Sequence, residues 1–239
     1  MSAAGAHARK TFVANGRRLF SVLKMAISQR LLRIPVLGRL FAGLSNRLFL
    51  RHFVPDLLAL HDVLADTELA GRYWIWGGML LGWAREGGLL AHDRDADFAL
   101  FSVDLPRLLR AAPALRRAGF QPLHQFRNHK GQVTELTFRR HNAKFEFFAM
   151  EPVDGMLQYY VYGWPPDHLV EVEGQVPNQE LVPYEFLGRS WLRHADHERE
   201  LECIYGDWRT PQLDWDYLQD DRSAVNHRPW VNSDTSFPI

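Results

Sequence analysis

Apolar positions recur along this chain with two different periods, and the switches between them mark out the elements. Leu57, Leu58, Leu60 and Leu64 follow one another at helical spacing, which predicts a helix ending near Gly71. Tyr73-Trp74-Ile75-Trp76 is a short unbroken apolar run into Gly77-Gly78, the pattern of a buried strand entering a turn. Residues 79–86 read as a short helix stopped by Gly87-Gly88. Residues 95–101 read as a second strand, with Asp95 and Asp97 on one face and Ala96 and Phe98 on the other. A helix over residues 105–118 closes at Gly119, and extended runs follow near 120–126, 133–139, 144–150 and 159–162. Pro165-Pro166 and Pro177 predict a long irregular stretch. A last helix is expected from Trp191 or His194 to Tyr205, with Gly206 past its end and a packed polar and aromatic tail after Pro211.

Strands interleaved with helices in this order predict an α/β (α+β) domain from about residue 53, a mixed central sheet flanked by helices. The 46% apolar and 23% charged residues are enough for such a domain to bury a core. Residues 1–52 form a separate segment. Leu19, Val22, Leu23 and Ala26 recur at helical spacing, as do Leu37, Leu40, Phe41 and Leu44, with Arg39 and Arg47 between them.

Charge sharpens that division. The first 55 residues hold a series of arginines and lysines and no Asp or Glu, so a formal net charge of zero conceals a cationic head and an acidic body. A basic amphipathic head suits an anionic membrane surface. The plainer reading is a pair of helices packed on the domain with their arginines in water. Stacking aromatics are sparse there, so nucleic acid is not expected as a partner. No apolar run of about 18 residues predicts a spanning helix, and no secretory leader is evident. The expected location is therefore cytoplasmic, peripheral on the inner face of the membrane. Cys203 is the only cysteine, which excludes an intrachain disulfide and fits a small apolar residue on a helix.

Candidate chemistry concentrates between Trp76 and Phe98. Carboxylates at i and i+2 on a strand point to the same side, about 7 Å apart. That separation lets Asp95 and Asp97 converge on Mg²⁺ or Mn²⁺, hard cations that take carboxylates together with substrate phosphates. Two such ions can clamp the attacking and leaving oxygens of an in-line displacement. Asp-x-Asp alone is common on solvated strand edges. A preceding strand that ends in Gly77-Gly78 and opens a helix is rarer, and offers backbone N–H groups to phosphate oxygens. Glu146 interrupts the aromatic run Phe145, Phe147, Phe148, where a buried acid is costly without a cation. It is the candidate third acid, as metal ligand or as base for an acceptor hydroxyl; the alternative is a surface pair with Arg139, Arg140 or Lys144.

Other residues carry two readings each. Arg85 can contact phosphate or fix Asp93 and Asp97, or simply pair with Glu86. Asp93 can touch metal or orient its loop, and His92 reads as structural. His194 and His197 have i, i+3 spacing for zinc on a helix, but a solvated helix start is the better expectation. Trp164-Pro165-Pro166 and Trp208 can line an acceptor pocket or pack a loop.

Gly77, Gly78, Leu80, Leu81, Gly82, Arg85, Gly87, Asp93, Asp95 and Asp97 together resemble the signature of the LicD/fukutin family of nucleotidyltransferase-fold proteins. Arg94 and His92 depart from it, where the family often has Asp and Trp, which leaves the metal number open. Tyr205-Gly206-Asp207-Trp208, followed by Pro211, is similar to the segment after the last helix of LicD-like domains. The resemblance runs over about residues 54–211. It implies a nucleotidyltransferase-like fold with the Asp95/Asp97 pair intact, beside which Glu146 stays the candidate third acid from its own surroundings. It also implies a CDP-activated alcohol donor such as CDP-choline or CDP-ribitol, a glycan or glycolipid acceptor, and release of CMP. Two other functions stay open: transfer of NMP from an NTP to a small molecule, and a non-catalytic, membrane-docked glycan-binding adaptor.

Overall fold

The computed structural model describes residues 51–90, 93–163, 170–212 and 214–229. The chain divides into two units, residues 1–51 and 52–239. Apart from Arg51 the first lies outside the described residues, and with it the basic segment and its membrane expectation. Among the described residues no helix is long and apolar enough to cross a membrane.

The second unit begins with a helix, α1 (residues 52–65), whose Phe53, Leu57, Leu60 and Leu64 form one buried stripe. A short strand, β1 (Tyr73–Ile75), follows and then α2 (Gly77–Glu86). Trp76 is still extended and Gly77 turns the chain at a positive φ of 54°. At the other end Gly87 takes the left-handed conformation that closes a helix, its N–H donating to the Trp83 carbonyl at 3.1 Å and the Gly88 N–H to the Gly82 carbonyl at 3.3 Å. Next come β2 (Asp95–Phe101), a 3₁₀ turn (Ser102–Asp104) and α3 (Leu105–Arg117). The strands β3 (Gln121–Arg127), β4 (Val133–Arg140), β5 (Ala143–Val153) and β6 (Met156–Tyr162) run in succession.

From here the structure departs from the irregular stretch expected of the sequence. It holds β7 (Val170–Pro177), β8 (Leu181–Phe186) and β9 (Arg189–His194), and the Trp164-Pro165-Pro166 segment lies outside the described residues. Pro177 stands at the last position of β7 and Pro183 in a two-stranded hairpin, places where a strand tolerates a missing N–H. The last helix, α4 (His197–Tyr205), starts later than expected because Asp196 caps it, accepting from the Arg199 N–H at 3.1 Å. Trp191 and His194 therefore belong to β9. The tail is not merely packed; it adds β10 (Ala224–Pro229) antiparallel to β7.

One sheet reads β1-β2-β5-β4-β3, and the end of β5 continues into β6, β7 and β10. The β2–β5 pair is parallel and the other pairs are antiparallel, so the sheet is mixed, as expected. One face of the first sheet is core: Ala96, Phe98, Phe138, Phe145 and Phe147 are fully buried, and Phe98 stacks on Phe147 at 5.1 Å. The opposite face is apolar only in part. Ala99, Phe148 and Met150 pack there with Trp74, Trp76, Tyr159 and Ile204 of α4. Towards the start of β2 and β5 that same face turns acidic.

Candidate active site

The parallel pairing of β2 with β5 sets Asp97 directly opposite Glu146 and Asp95 opposite Lys144. Two residues from different parts of the chain thus share a face one strand spacing apart, about 4.8 Å. Lys144 Nζ lies 2.9 Å from Glu146 Oε1 and 3.8 Å from Asp95 Oδ2. Glu146 thus stands beside the aspartates and is at the same time paired with Lys144.

The Gly77-Gly78 turn brings helix α2 down onto these acids. Asp97 Oδ2 accepts from the Gly78 N–H at 2.9 Å, so that N–H is already committed to a carboxylate. The two glycines make room for this. A Cβ on Gly77 would stand 2.7 Å from Asp97 Oδ2, and one on Gly78 would stand 2.4 Å from Asp93 Oδ2. Asp93 in turn accepts from the Arg94 N–H at 3.0 Å, a loop-orienting bond. Asp93 and Asp97 therefore both stand against the first turn of one helix, with Asp95 beside Asp93.

Burial, and then the crowding of like charges, shifts the acids strongly. Burial raises the Asp97 carboxyl well above its ordinary range, Asp95, Asp93 and Glu146 push the same way, and the Gly78 N–H opposes them. Burial, reinforced by Asp95, lifts Asp93 to about 8. Burial and then Glu135 lift Glu146 to about 7, against Lys144. Burial works against the Lys144 charge, but Glu146, Asp95 and Glu135 outweigh it and the net shift is upward. Four carboxylates with one ammonium between them are short of positive charge, which is the chemical condition for holding a cation.

These groups line a cavity of about 500 Å³, within the usual range for small-molecule sites. Arg85 also lines it, with Nε 3.2 Å from Glu86 Oε1 and an N–H 3.5 Å from the Trp208 carbonyl. Its bonds go to those groups, not to Asp93 or Asp97. The Tyr205-Gly206-Asp207-Trp208 segment closes another wall, bringing Tyr205, Asp207 and Trp208 to the cavity. Trp208 is thus a lining residue as well as a packing one. His92 lies outside the described residues. His194 is not at a solvated helix start; it is fully buried on β9, with Nδ1 2.8 Å from Glu200 of α4. His197 lies against Trp83, away from these acids. Cys203 is half-buried on α4 beside the apolar cluster.

The polar lining residues not legible as site residues include His124 on β3, Glu135 on β4 and Lys144 on β5. Burial raises Glu135 to about 7, and burial lowers the His124 imidazole. No local motif marks any of them.

No curated protein sequence matches the chain. A structure titled "Crystal structure of lincosamide antibiotic adenylyltransferase LnuA, lincomycin-bound" is similar to it over 62% of this chain and 83% of that one, with 11% identity and a TM-score of 0.40. Residues 71–186 match the family described as LicD/FKTN/FKRP, nucleotidyltransferase domain. That interval runs from the turn before β1 to the end of β8 and takes in the Gly-Gly turn, all three aspartates and Glu146. Over residues 71–186 the chain belongs to the LicD/FKTN/FKRP family.

Proposed function

We propose that this protein is a divalent-metal-dependent transferase that moves a phosphorylated alcohol, phosphocholine- or phosphoribitol-like, from a CDP-activated donor to a sugar hydroxyl of a glycan or glycolipid. The observation that carries the reading is the register of β2 on β5, which sets Asp97 against Glu146 beneath the first turn of α2. Asp95, Asp97 and Glu146 are the ligands for Mg²⁺ or Mn²⁺, and their surplus negative charge fits a divalent cation. When bound, the cation supplies charge that offsets the negative oxygens of a diphosphate during in-line displacement.

The chain's own residues have separable tasks. Gly78 holds Asp97 through its N–H, which fixes one carboxylate oxygen and leaves the other for the cation. Asp93 orients the loop before β2. Arg85 lies at the cavity wall, where its guanidinium can meet a phosphate. Glu146, set between Asp97 and Lys144, either completes the cation site or accepts the acceptor proton. The aromatic wall of Trp76, Trp208 and Trp215 limits water at the reacting phosphate. At a membrane surface the basic residues 1–52 would place this cavity near a lipid-linked acceptor.

The test is a panel of CDP-linked alcohols with Mg²⁺, scored for CMP release in the presence of a sugar acceptor. Asp97→Asn should abolish release while the protein unfolds at an undiminished temperature. Full turnover in that variant would sink the reading. Pyrophosphate release from an NTP would instead identify a nucleotidyltransferase, and absence of any metal-dependent nucleotide binding an adaptor.

A further inference from the structure

Glu146 faces two groups of ligands. On one side stands Asp97 across β2. On the other, β4 and β3 continue the same row: Glu146 pairs with Thr137, and Thr137 pairs with His124. Glu135, two residues before Thr137 on β4, lies on the same face. The ligand atoms of His124, Glu135 and Glu146 all lie within 4.8 Å of one another. His124 Nε2 and Glu135 Oε1 are 3.5 Å apart.

Two features of the chain produce this convergence. Between Pro122 and His124 the pairing with β4 shifts by one residue, a bulge that leaves Leu123 unmatched. Pro122 pairs with Phe138 of the core face. Unbroken alternation would put His124 on that face too; the bulge turns it to the face of the acids. Glu135 is 5% exposed and its Oε1 accepts from Thr137 Oγ1 at 3.0 Å, which fixes its direction. A carboxylate so deeply placed is expensive to keep with one hydroxyl and a neighbouring imidazole as its partners.

We infer that His124, Glu135 and Glu146 form a second metal site, distinct from the Asp95/Asp97 pair, that takes a borderline divalent cation of the Zn²⁺ class through one imidazole nitrogen and two carboxylates. Ligand atoms at about 2.0–2.2 Å from a tetrahedral ion stand roughly 3.3–3.6 Å apart. The His124–Glu135 separation already meets that, and the longer distances close by side-chain rotation of Glu146. An imidazole ligand is what separates the two sites chemically: oxygen-only Asp95 and Asp97 suit Mg²⁺, whereas nitrogen favours Zn²⁺ over Mg²⁺. Three protein ligands leave one position open towards the cavity that all three residues line. Lys144 holds Glu146 at 2.9 Å and competes with the ion for it. The inference rests on the proposed transferase reading only in sharing Glu146 with it.

The full-length protein, stripped with chelator, is titrated with Zn²⁺ and, for a spectroscopic signature, with Co²⁺, with Mg²⁺ in excess throughout. Wild type and Asp97→Asn should each take up Zn²⁺ and give tetrahedral Co²⁺ absorption. His124→Gln and Glu135→Gln should weaken Zn²⁺ by about 100-fold or more, beyond what the loss of a mere supporting hydrogen bond costs. Glu135→Gln keeps the shape and removes a buried charge, so it remains informative if His124→Gln fails to fold. Wild-type uptake unchanged in both variants, or no uptake by the wild type, would overturn the site. So would uptake abolished by Asp97→Asn, which would place the ion at the aspartate pair. Undiminished transfer by Asp97→Asn refutes the transferase reading alone and leaves the Zn²⁺ comparison standing.

Discussion

Substituting Gly78 by alanine separates the two things a glycine can be for. Gly78 sits in the first turn of α2, and its φ is not in the left-handed region, unlike that of Gly77. Its backbone therefore accepts alanine, and helix propensity favours the change by about 0.8–1.0 kcal/mol. Against this, the new Cβ meets Asp93 Oδ2 at 2.4 Å and Asp97 Oδ2 at 3.4 Å. The second distance is ordinary contact; the first must open by roughly 1 Å. Asp93 can give way by rotating about its own side chain, at a cost of about 0.5–1.5 kcal/mol. The two terms nearly cancel, and at about 2–4 °C per kcal/mol the melting temperature should move by only a few degrees.

Function should not be spared. A displacement of about 1 Å in a group that sets reacting geometry costs roughly 100-fold in rate. Gly78→Ala should therefore lose CMP release by that order while melting almost as the wild type does. Gly82→Ala, one turn later in the same helix, is the control. Its Cβ would meet the Gly88 carbonyl oxygen at 2.8 Å and the Leu90 nitrogen at 3.0 Å, backbone atoms that cannot rotate aside. Overpacking of that kind costs about 1–3 kcal/mol, and melting should fall by several degrees. Thermal unfolding of the pair, followed by the transfer assay on Gly78→Ala, decides the matter. Wild-type turnover in Gly78→Ala would mean that the close approach of Asp93 to α2 has no part in the chemistry.

In the chelated protein, stability should fall as pH rises from about 5 to 8. Asp93, Glu135 and Glu146 bind protons in the folded state up to about 8, 7 and 7, whereas the unfolded chain releases them near their ordinary values. Raised carboxyl pKa values contribute stability that is complete below the unfolded pKa and lost through the folded one, with a slope of about 1.4 kcal/mol per pH unit for each proton. Melting curves across that range check it, and added divalent cation should flatten the slope; a rise in stability with pH would contradict the crowding of acids. Tyr159→Phe should destabilise by about 1–3 kcal/mol, because the Tyr159 hydroxyl donates to the buried Asp221 Oδ2 at 2.6 Å. Urea titration measures that, and a loss below about 0.5 kcal/mol would mean another donor replaces it.

Local pattern made the front half of the domain legible and the back half not. The helix α2 and strands β1 and β2 announce themselves by Gly-Gly breakers and by clean alternation. In Val170–Pro177 the inward and outward positions are obscured because Glu171 and Glu173 are themselves buried, tied to Arg228 of β10. Charge at a buried strand position reads as loop until its partner, more than fifty residues away, is known. Likewise His194 looked like helix-start polarity; its burial depends on Glu200 one element later.

The same limit explains which acids of the site could be found. Asp95 and Asp97 share a face by the period of a single strand, so two residue letters suffice. Glu146 stands out because apolar neighbours make an acid conspicuous. His124 and Glu135 have neither advantage: their meeting with Glu146 depends on two antiparallel registers in succession, and on the bulge at Leu123. Because side chains alternate with a period of two, a shift of one residue in either register sends His124 or Glu135 to the opposite face. Deleting Leu123 would remove the bulge yet place His124 one position after Pro122, so that it still pairs with Thr137 on the face of the acids. A site assembled from registers is therefore invisible to motif reading yet sharply dependent on strand pairing. For that reason deletion of Leu123, which keeps the Pro122–Phe138 and His124–Thr137 pairs, should leave Zn²⁺ uptake intact, and loss of uptake in that variant would refute the account of the site by register.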